Sequence, residues 1–355
     1  MTTKPKQMKV YILLLFVSVN FLVSCGTAGK IQEQPVTFTN PLLPSGADPF
    51  SFYKDGYYYY THTAGNKLVL WKTKNLSDLK TAQKKTIWTP PANTAYSKEL
   101  WAPEILYLRG KWYMYFAADN GQNRNHRMYV VENASADPME GEWIFKGKVA
   151  DDTDKWAIDG DVFEHNNKLY MVWSGWEGNF NGRQDIYIAS MSNPWTIEGP
   201  RIKISSPQYD WETHGYLKGE TPEQVNVNEG PQFLKYKNKI FIVYSASGCW
   251  TDFYTLGMLS IDTNKDLLNV SNWKKIPNLF LKRRPKMEYM LLAIIRFLNH
   301  PMVRKTGYYI MLTPPQDRVV EDNAHHACKS LPGIKMAHQI LESRSVQINL
   351  YKSSN

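Results

Sequence analysis

Asp48-Pro49-Phe50-Ser51-Phe52-Tyr53-Lys54-Asp55-Gly56, running on into Tyr57 to Thr61, is the stretch that decides the fold. A polar-Pro start, a short apolar strand, a polar turn and an aromatic strand make a β-hairpin. The same word returns three times. Ala102-Pro103-Glu104-Ile105-Leu106-Tyr107-Leu108-Arg109-Gly110 leads into Lys111 to Phe116, and Asp159-Gly160-Asp161-Val162-Phe163-Glu164-His165-Asn166 leads into Lys168 to Trp173. Glu229-Gly230-Pro231-Gln232-Phe233-Leu234-Lys235-Tyr236-Lys237-Asn238 leads into Lys239 to Tyr244. The starts are spaced by about 54, 57 and 70 residues. Outer-strand segments lie between them, such as Ser135 to Lys146 with Trp143 and Ser192 to Ile204 with Trp195. Periods of this size, each holding four strands, are those of propeller blades. A flat sandwich would not give the same hairpin start four times.

Working outward, the chain has 355 residues with 43% hydrophobic and 14% aromatic side chains, which excludes a disordered chain and a small disulfide-stapled one. Its 22 Tyr and 12 Trp fit many short strands with aromatic-lined surfaces. The formal charge of +9 is concentrated at the two ends. Residues 1–24 hold three Lys and no acid, and residues 282–355 hold 12 basic against 5 acidic side chains. Residues 25–281 carry 27 basic and 28 acidic groups, so nothing in the body argues for a nucleic-acid partner.

The N-terminus reads as an export signal: Lys4, Lys6 and Lys9, the apolar run Val10 to Val23, then Leu22-Val23-Ser24-Cys25-Gly26. It resembles a bacterial lipobox, which implies cleavage before Cys25 and lipidation of its thiol. Residues 1–24 are then a signal peptide and 25–37 a linker. The expected location is exported and lipid-anchored, with membrane contact only through Cys25. Cys249 and Cys328 are too few for a disulfide framework.

In a propeller the equivalent ends of the innermost strands gather around the central channel. Asp48, Asp159 and Glu229 read as equivalent places at the starts of blades one, three and four, so three carboxylates far apart in sequence are expected to converge.

With those residues in hand, the chain from about Phe38 to Phe280 resembles glycoside hydrolase family 43. The matching words are Ala47-Asp48-Pro49, Trp101-Ala102-Pro103-Glu104, Ala157-Ile158-Asp159 and Asn228-Glu229-Gly230-Pro231-Gln232. The resemblance implies an all-β, five-bladed β-propeller with its first four blades in 38–281. It implies Asp48 as general base, Glu229 as general acid, and Asp159 as the residue that raises the acid's pKa and orients it. It also implies an α-L-arabinofuranosidase of exo mode acting on arabinan, arabinoxylan or derived oligosaccharides, with a β-xylosidase or a non-catalytic glycan-binding surface lipoprotein as alternatives. The chemistry fits, since inverting hydrolysis needs a carboxylic acid and a carboxylate roughly 6.5–9.5 Å apart. Glu229 must stay protonated while Asp48 stays ionised, and a negative Asp159 beside the acid serves that end. Sugars also need flat apolar faces; Trp101 is the first candidate and Trp176, in Ser174-Gly175-Trp176-Glu177-Gly178, either a second wall or inter-blade packing. His62, His126 and His214 read as structural or solvent-facing, and no Cys/His spacing suggests zinc, so neither metal nor cofactor is expected.

From Lys282 the aromatic strands stop. All 12 Trp precede this point, whereas four of the eight His follow it. The family calls for a fifth blade here, opening with a Gly-His word that this chain lacks. Reading each new codon from the last base of one codon and the first two of the next, Met287-Glu288 and Met302-Val303 must each give Gly, and Tyr308-Tyr309 must give Leu. The free bases permit a hairpin opening Ala-Pro-Gly-His. Residues 282–355 are therefore expected to be an aberrant tail, out of frame after a net loss of one base near codons 280–282, in place of blade five.

Overall fold

Each hairpin forms because a polar pair closes it. In the computed structural model, which describes residues 42–278, the turns Asp55-Gly56, Arg109-Gly110 and Asn166-Asn167 place both central residues at positive φ. That is the geometry whose twist matches paired antiparallel strands. Blade one is β1 (Phe50–Lys54), β2 (Tyr57–Thr61), β3 (Leu68–Thr73) and β4 (Gln83–Trp88), hydrogen-bonded in that order. Blade two is β5 (Lys98–Leu108), β6 (Lys111–Asp119), β7 (Arg127–Asn133) and β8 (Ile144–Val149), again in sequence order. Blade three is β9 (Ala157–His165), β10 (Lys168–Trp176), β11 (Arg183–Asn193) and β12 (Thr196–Ser205); blade four is β13 (Asn226–Tyr236), β14 (Lys239–Ala246), β15 (Thr255–Asp262) and β16 (Lys274–Lys275). The expectations for residues 1–24, 25–37, Cys25 and 282–355 fall outside the described residues.

Aromatic side chains fill the spaces between blades. The buried Trp112 takes Phe52 and Tyr59 of blade one edge-on at 5.7 and 4.7 Å. Phe163 of blade three stacks on Phe233 of blade four at 4.0 Å. Offset and edge-to-face contacts of this kind add to the burial of large apolar area. Tyr115 Oη, wholly buried, donates to the Pro194 carbonyl at 2.6 Å and ties blade two to blade three. Blades three and four are also joined by a short parallel pairing of β11 and β13, Arg183 with Asn226 and Gln184 with Val227.

One irregularity repeats in all four blades and corrects the sequence reading. Each inner strand carries an extra residue against its partner strand near its start, and β5 carries a second one between Lys98 and Trp101. Trp101 faces Ala117 but Glu104 faces Tyr115, Ile158 faces Ser174 but Asp161 faces Val172, and Glu229 faces Ser245 but Gln232 faces Val243. In blade one the Ala47 carbonyl accepts from Thr63 N–H while Phe50 already faces Thr61. Within each bulge sits a residue at positive φ: Asp48 (54°), Ala102 (42°), Asp159 (55°) and Gly230 (57°). So Asp48 and Asp159 are equivalent, but the fourth member of that set is Gly230. Glu229 stands one residue earlier, in the place held by Trp101 in blade two. Because strand side chains alternate, this offset gives Glu229 a different setting from the two aspartates.

Candidate active site

The bulges set the carboxylates at the starts of the inner strands, and their left-handed backbone is strained for three non-glycine residues, Asp48, Ala102 and Asp159. Strain of this kind persists where the surroundings over-determine it, and it clusters at functional sites.

Asp48 is held by Thr63, whose Oγ1 donates to Asp48 Oδ2 at 2.5 Å. The Ala102 N–H donates to Thr63 Oγ1 at 2.9 Å and also lies within reach of the Asp48 carboxylate. Asp48 is exposed as a residue although protein surrounds its carboxylate. Loss of bulk water raises its pKa, and the two donors, which favour the charged form, oppose the rise.

Glu229 meets the reverse arrangement. It is half-buried, and a phenol, Tyr254 Oη, donates to its Oε1 at 2.9 Å. Desolvation first, then the charge of Asp159, pushes its pKa up to about 8. Asp159 receives the Gly230 N–H on Oδ2 at 2.9 Å, and desolvation with the charge of Asp48 raises it to about 7. The two form one coupled system. A negative charge on Asp159 disfavours the ionisation of Glu229. The three carboxylates predicted to converge do lie close enough to shift one another. Among the described residues, no group of three or more His, Cys, Asp or Glu side chains is arranged to hold a metal ion.

Behind Glu229 lies a network that sequence reasoning missed. The wholly buried Glu212 Oε1 accepts from Asn228 Nδ2 at 3.0 Å and Tyr244 Oη at 2.9 Å, and pairs with Lys275 Nζ at 2.7 Å. Asn228 is also buried: Ser205 Oγ donates to its side-chain oxygen at 2.8 Å and Ser174 Oγ to its carbonyl at 3.0 Å. This fixes the backbone one residue before Glu229. A second buried layer sits past the bulges, where Gln232 Nε2 donates to Glu104 Oε1 and the Phe233 N–H donates to Asp161 Oδ2 at 2.8 Å. Glu104, Asp161, Gln232 and Phe233 all stand in the words quoted from the sequence, where no role was assigned to them.

The two tryptophans have separate places. Trp101 is half-buried, stacked on the buried ring of His126 at 3.9 Å, and adjoins Ala102 and so the Asp48 donors. Trp176 is 3% exposed and stacks on Trp156 at 4.6 Å with the planes 8° apart. It packs, and one edge also borders a cleft that none of the three carboxylates lines. His62 is buried against Trp71, and desolvation pushes its pKa down to about 4. His214 stacks on Phe253 at 3.8 Å.

Four-stranded antiparallel blades whose inner strands bring three carboxylates together are what a propeller glycosidase is built from. Comparison with known proteins supports that class: the family model "Glycosyl hydrolases family 43" matches residues 38–291. The chain belongs to glycosyl hydrolase family 43. It is 40% identical over 244 residues to an extracellular exo-α-(1→5)-L-arabinofuranosidase of Streptomyces avermitilis, covering 68% of this chain and 49% of that protein. It is 36% identical over 249 residues to a protein of the same description from Streptomyces chartreusis, covering 69% of this chain and 73% of that protein. The chain thus spans about half the length of the first relative. Among solved structures it is similar to an α-L-arabinofuranosidase from Lactobacillus brevis, with 35% identity and a TM-score of 0.64 over 71% of this chain and 78% of that one.

Proposed function

We propose that the chain is an exo-acting α-L-arabinofuranosidase that releases terminal arabinose from arabinan, arabinoxylan or derived oligosaccharides with inversion. The observation that carries this reading is the contrast between Glu229, pushed up to about 8 beside Asp159, and Asp48, which is served by two donors. Glu229 gives its proton to the leaving glycosidic oxygen as the bond breaks. Asp48 takes a proton from water attacking the opposite face of the ring, so the departing alcohol is neutral and the sugar emerges with inverted configuration. Trp101 offers a flat face for the ring. The names of the relatives support arabinose as the sugar.

The Leu22 to Cys25 word supports export and anchoring through a lipidated Cys25. On the reading of the tail given above, full activity belongs to the chain with blade five in frame. The chain as written is poorly stable and weakly active or inactive, and resequencing codons 275–295 tests this: an alternate frame without the Gly-His hairpin removes the idea.

The test of function is proton NMR of the first sugar released from linear arabinan and from an aryl α-L-arabinofuranoside by the in-frame protein. β-Arabinose is expected. Retained configuration overturns the mechanism, xylose release from an aryl β-xyloside in its place moves the assignment to a β-xylosidase, and binding without release favours a glycan-binding lipoprotein.

A further inference from the structure

Glu229 faces Ser245 across the β13–β14 pair, and Ser245 faces Leu256 across the β14–β15 pair. Side chains alternate along a strand, so Tyr254, two residues before Leu256, comes to the same face of blade four as Ser245 and Glu229. Three polar groups from separate segments meet there, and their hydrogen bonds run one way. Tyr254 Oη donates to Glu229 Oε1 at 2.9 Å. A phenol has one proton to give, so in its bond with the Ser245 hydroxyl the serine is the donor. Ser245 is 4% exposed and Tyr254 half-buried. The turn that delivers the tyrosine is pinned as well: Phe253 stacks on His214 at 3.8 Å, and Thr251 Oγ1 donates to the Gly248 carbonyl at 2.8 Å.

We infer that Tyr254 is a positioning residue for the acid: by donating to Oε1 it makes that atom the carbonyl oxygen of the protonated Glu229 carboxyl and leaves the acid proton on Oε2. The two oxygens of a carboxylic acid are unlike, one a pure acceptor and the other the donor, and a fixed donor on one of them chooses which is which. When Glu229 acts, its Oε2–H bond breaks and the proton joins the leaving glycosidic oxygen. The carboxyl becomes an anion, and the bond from Tyr254 becomes a charge-assisted one, shorter and stronger than before. An interaction that strengthens as the reaction proceeds lowers the barrier. Tyr254 keeps its own proton throughout, because burial and then the charge of Glu229 hold its pKa well above the ordinary phenol value. The groups around Glu229 thus pull in two directions: burial, Asp159 and Asp48 raise its affinity for a proton, and the phenol lowers it. The catalytic use of this arrangement rests on the proposed role of Glu229 as acid, whereas the placing of its proton does not.

Infrared difference titration of the full chain tests it, with Glu229→Gln as the blank that identifies the Glu229 carbonyl band. In the parent that band is expected to disappear as pH rises through about 8. In Tyr254→Phe it should move to higher wavenumber, because the carbonyl has lost its donor, and should titrate roughly one pH unit higher, because the carboxylate has lost a stabilising bond. Ser245→Ala leaves the phenol in place and should move the band the same way by less. A packing role for the ring predicts no movement of either quantity. If Tyr254→Phe keeps the band position and midpoint of the parent, or lowers the midpoint, the inference is overturned; should that variant not fold, an unmoved band in Ser245→Ala overturns it instead. In the in-frame protein Tyr254→Phe is expected to lower kcat on arabinan roughly tenfold, with KM little changed and a smaller loss on an aryl arabinofuranoside. An unchanged kcat on arabinan removes the positioning role. Shifted bands with no arabinose released by the in-frame parent would sink the proposed activity and leave the placing of the proton standing.

Discussion

Asp48 and Glu229 head blades one and four, and the same bulge lifts both, yet their surroundings are opposed. Asp48 sits within the bulge, with a hydroxyl and a backbone N–H directed at it. Glu229 sits one residue before its bulge, half-buried, with a phenol and a neighbouring carboxylate. One residue out of phase along a repeated motif, the two carboxyls meet different partners. The difference also shows why the fourth blade needs support that the first does not: its carboxyl is held through Asn228 by a buried charge pair, whereas Asp48 is held by its immediate neighbours.

The hardest blow to this comparison is kinetic. With blade five in frame, Asp48→Ala should lower kcat by roughly 10²–10⁴ on every substrate, because water must be activated whatever leaves. Glu229→Ala should lose a similar factor on arabinan but far less on aryl arabinofuranosides, whose leaving groups need little protonation. Equal losses on both substrates in Glu229→Ala would show that the two settings do not divide the work as described.

The next largest effect is on folding. Glu212→Ala removes the charged partner of Lys275, a side chain that is 10% exposed, and takes away one acceptor each from Asn228 Nδ2 and Tyr244 Oη. Breaking one side of a buried pair costs about 3–5 kcal/mol. Urea denaturation should find that loss, and the corresponding removal on the Asp48 side, Thr63→Val, should cost distinctly less. Near-equal losses would mean that blade four is not specially braced.

The hairpins, their turns and the three carboxylates were legible in the sequence because all rest on local chemistry: a polar pair at positive φ, alternation along a strand, and a repeated opening word. The phase of Glu229 was not, since Asn-Glu-Gly-Pro and Ala-Asp-Pro look alike until the partner strand shows which residue bulges. Glu212 and Tyr254 were invisible for a different reason. Glu212 lies 63 residues from Lys275, and Tyr254 25 residues from Glu229, in segments with no repeat to flag them. Trp176 was left open between wall and packing, and it proves to do the second while bordering a cleft.

A smaller effect lies in the pH profile, where the two carboxylates control opposite limbs. On the proposed roles activity needs Glu229 protonated, so it should fall as pH rises through about 8. Asp159→Asn removes a negative neighbour and should move that alkaline limb to lower pH without moving the acid limb the same way. Thr63→Val removes a donor that stabilises ionised Asp48 and should move the acid limb to higher pH, leaving the alkaline limb in place. A shift of the same limb by both variants would collapse the distinction between the two sites.

The smallest expected effect is on the stability of the protein, and its sign is the informative part. The folded pKa of Glu229 is raised from 4.5 to about 8. The stability tied to its protonated form is therefore full below about pH 4.5 and is lost as pH rises through 8, because the unfolded chain ionises freely while the native chain resists. Glu229→Gln keeps an uncharged polar group beside Tyr254 and has no proton to lose. It should match the parent near pH 4 and exceed it near pH 8, by on the order of 1 kcal/mol since the half-open channel lets water screen part of the penalty. Thermal unfolding at the two pH values reads this as a gap of a few degrees that opens only at the higher one. Asp48→Asn should gain less, because at Asp48 the substitution also weakens two hydrogen bonds whose donors favour the charged form. If the aspartate variant gains as much as the glutamate one, the donors around Asp48 do not offset its desolvation, and the contrast between the two headings of the blades is lost.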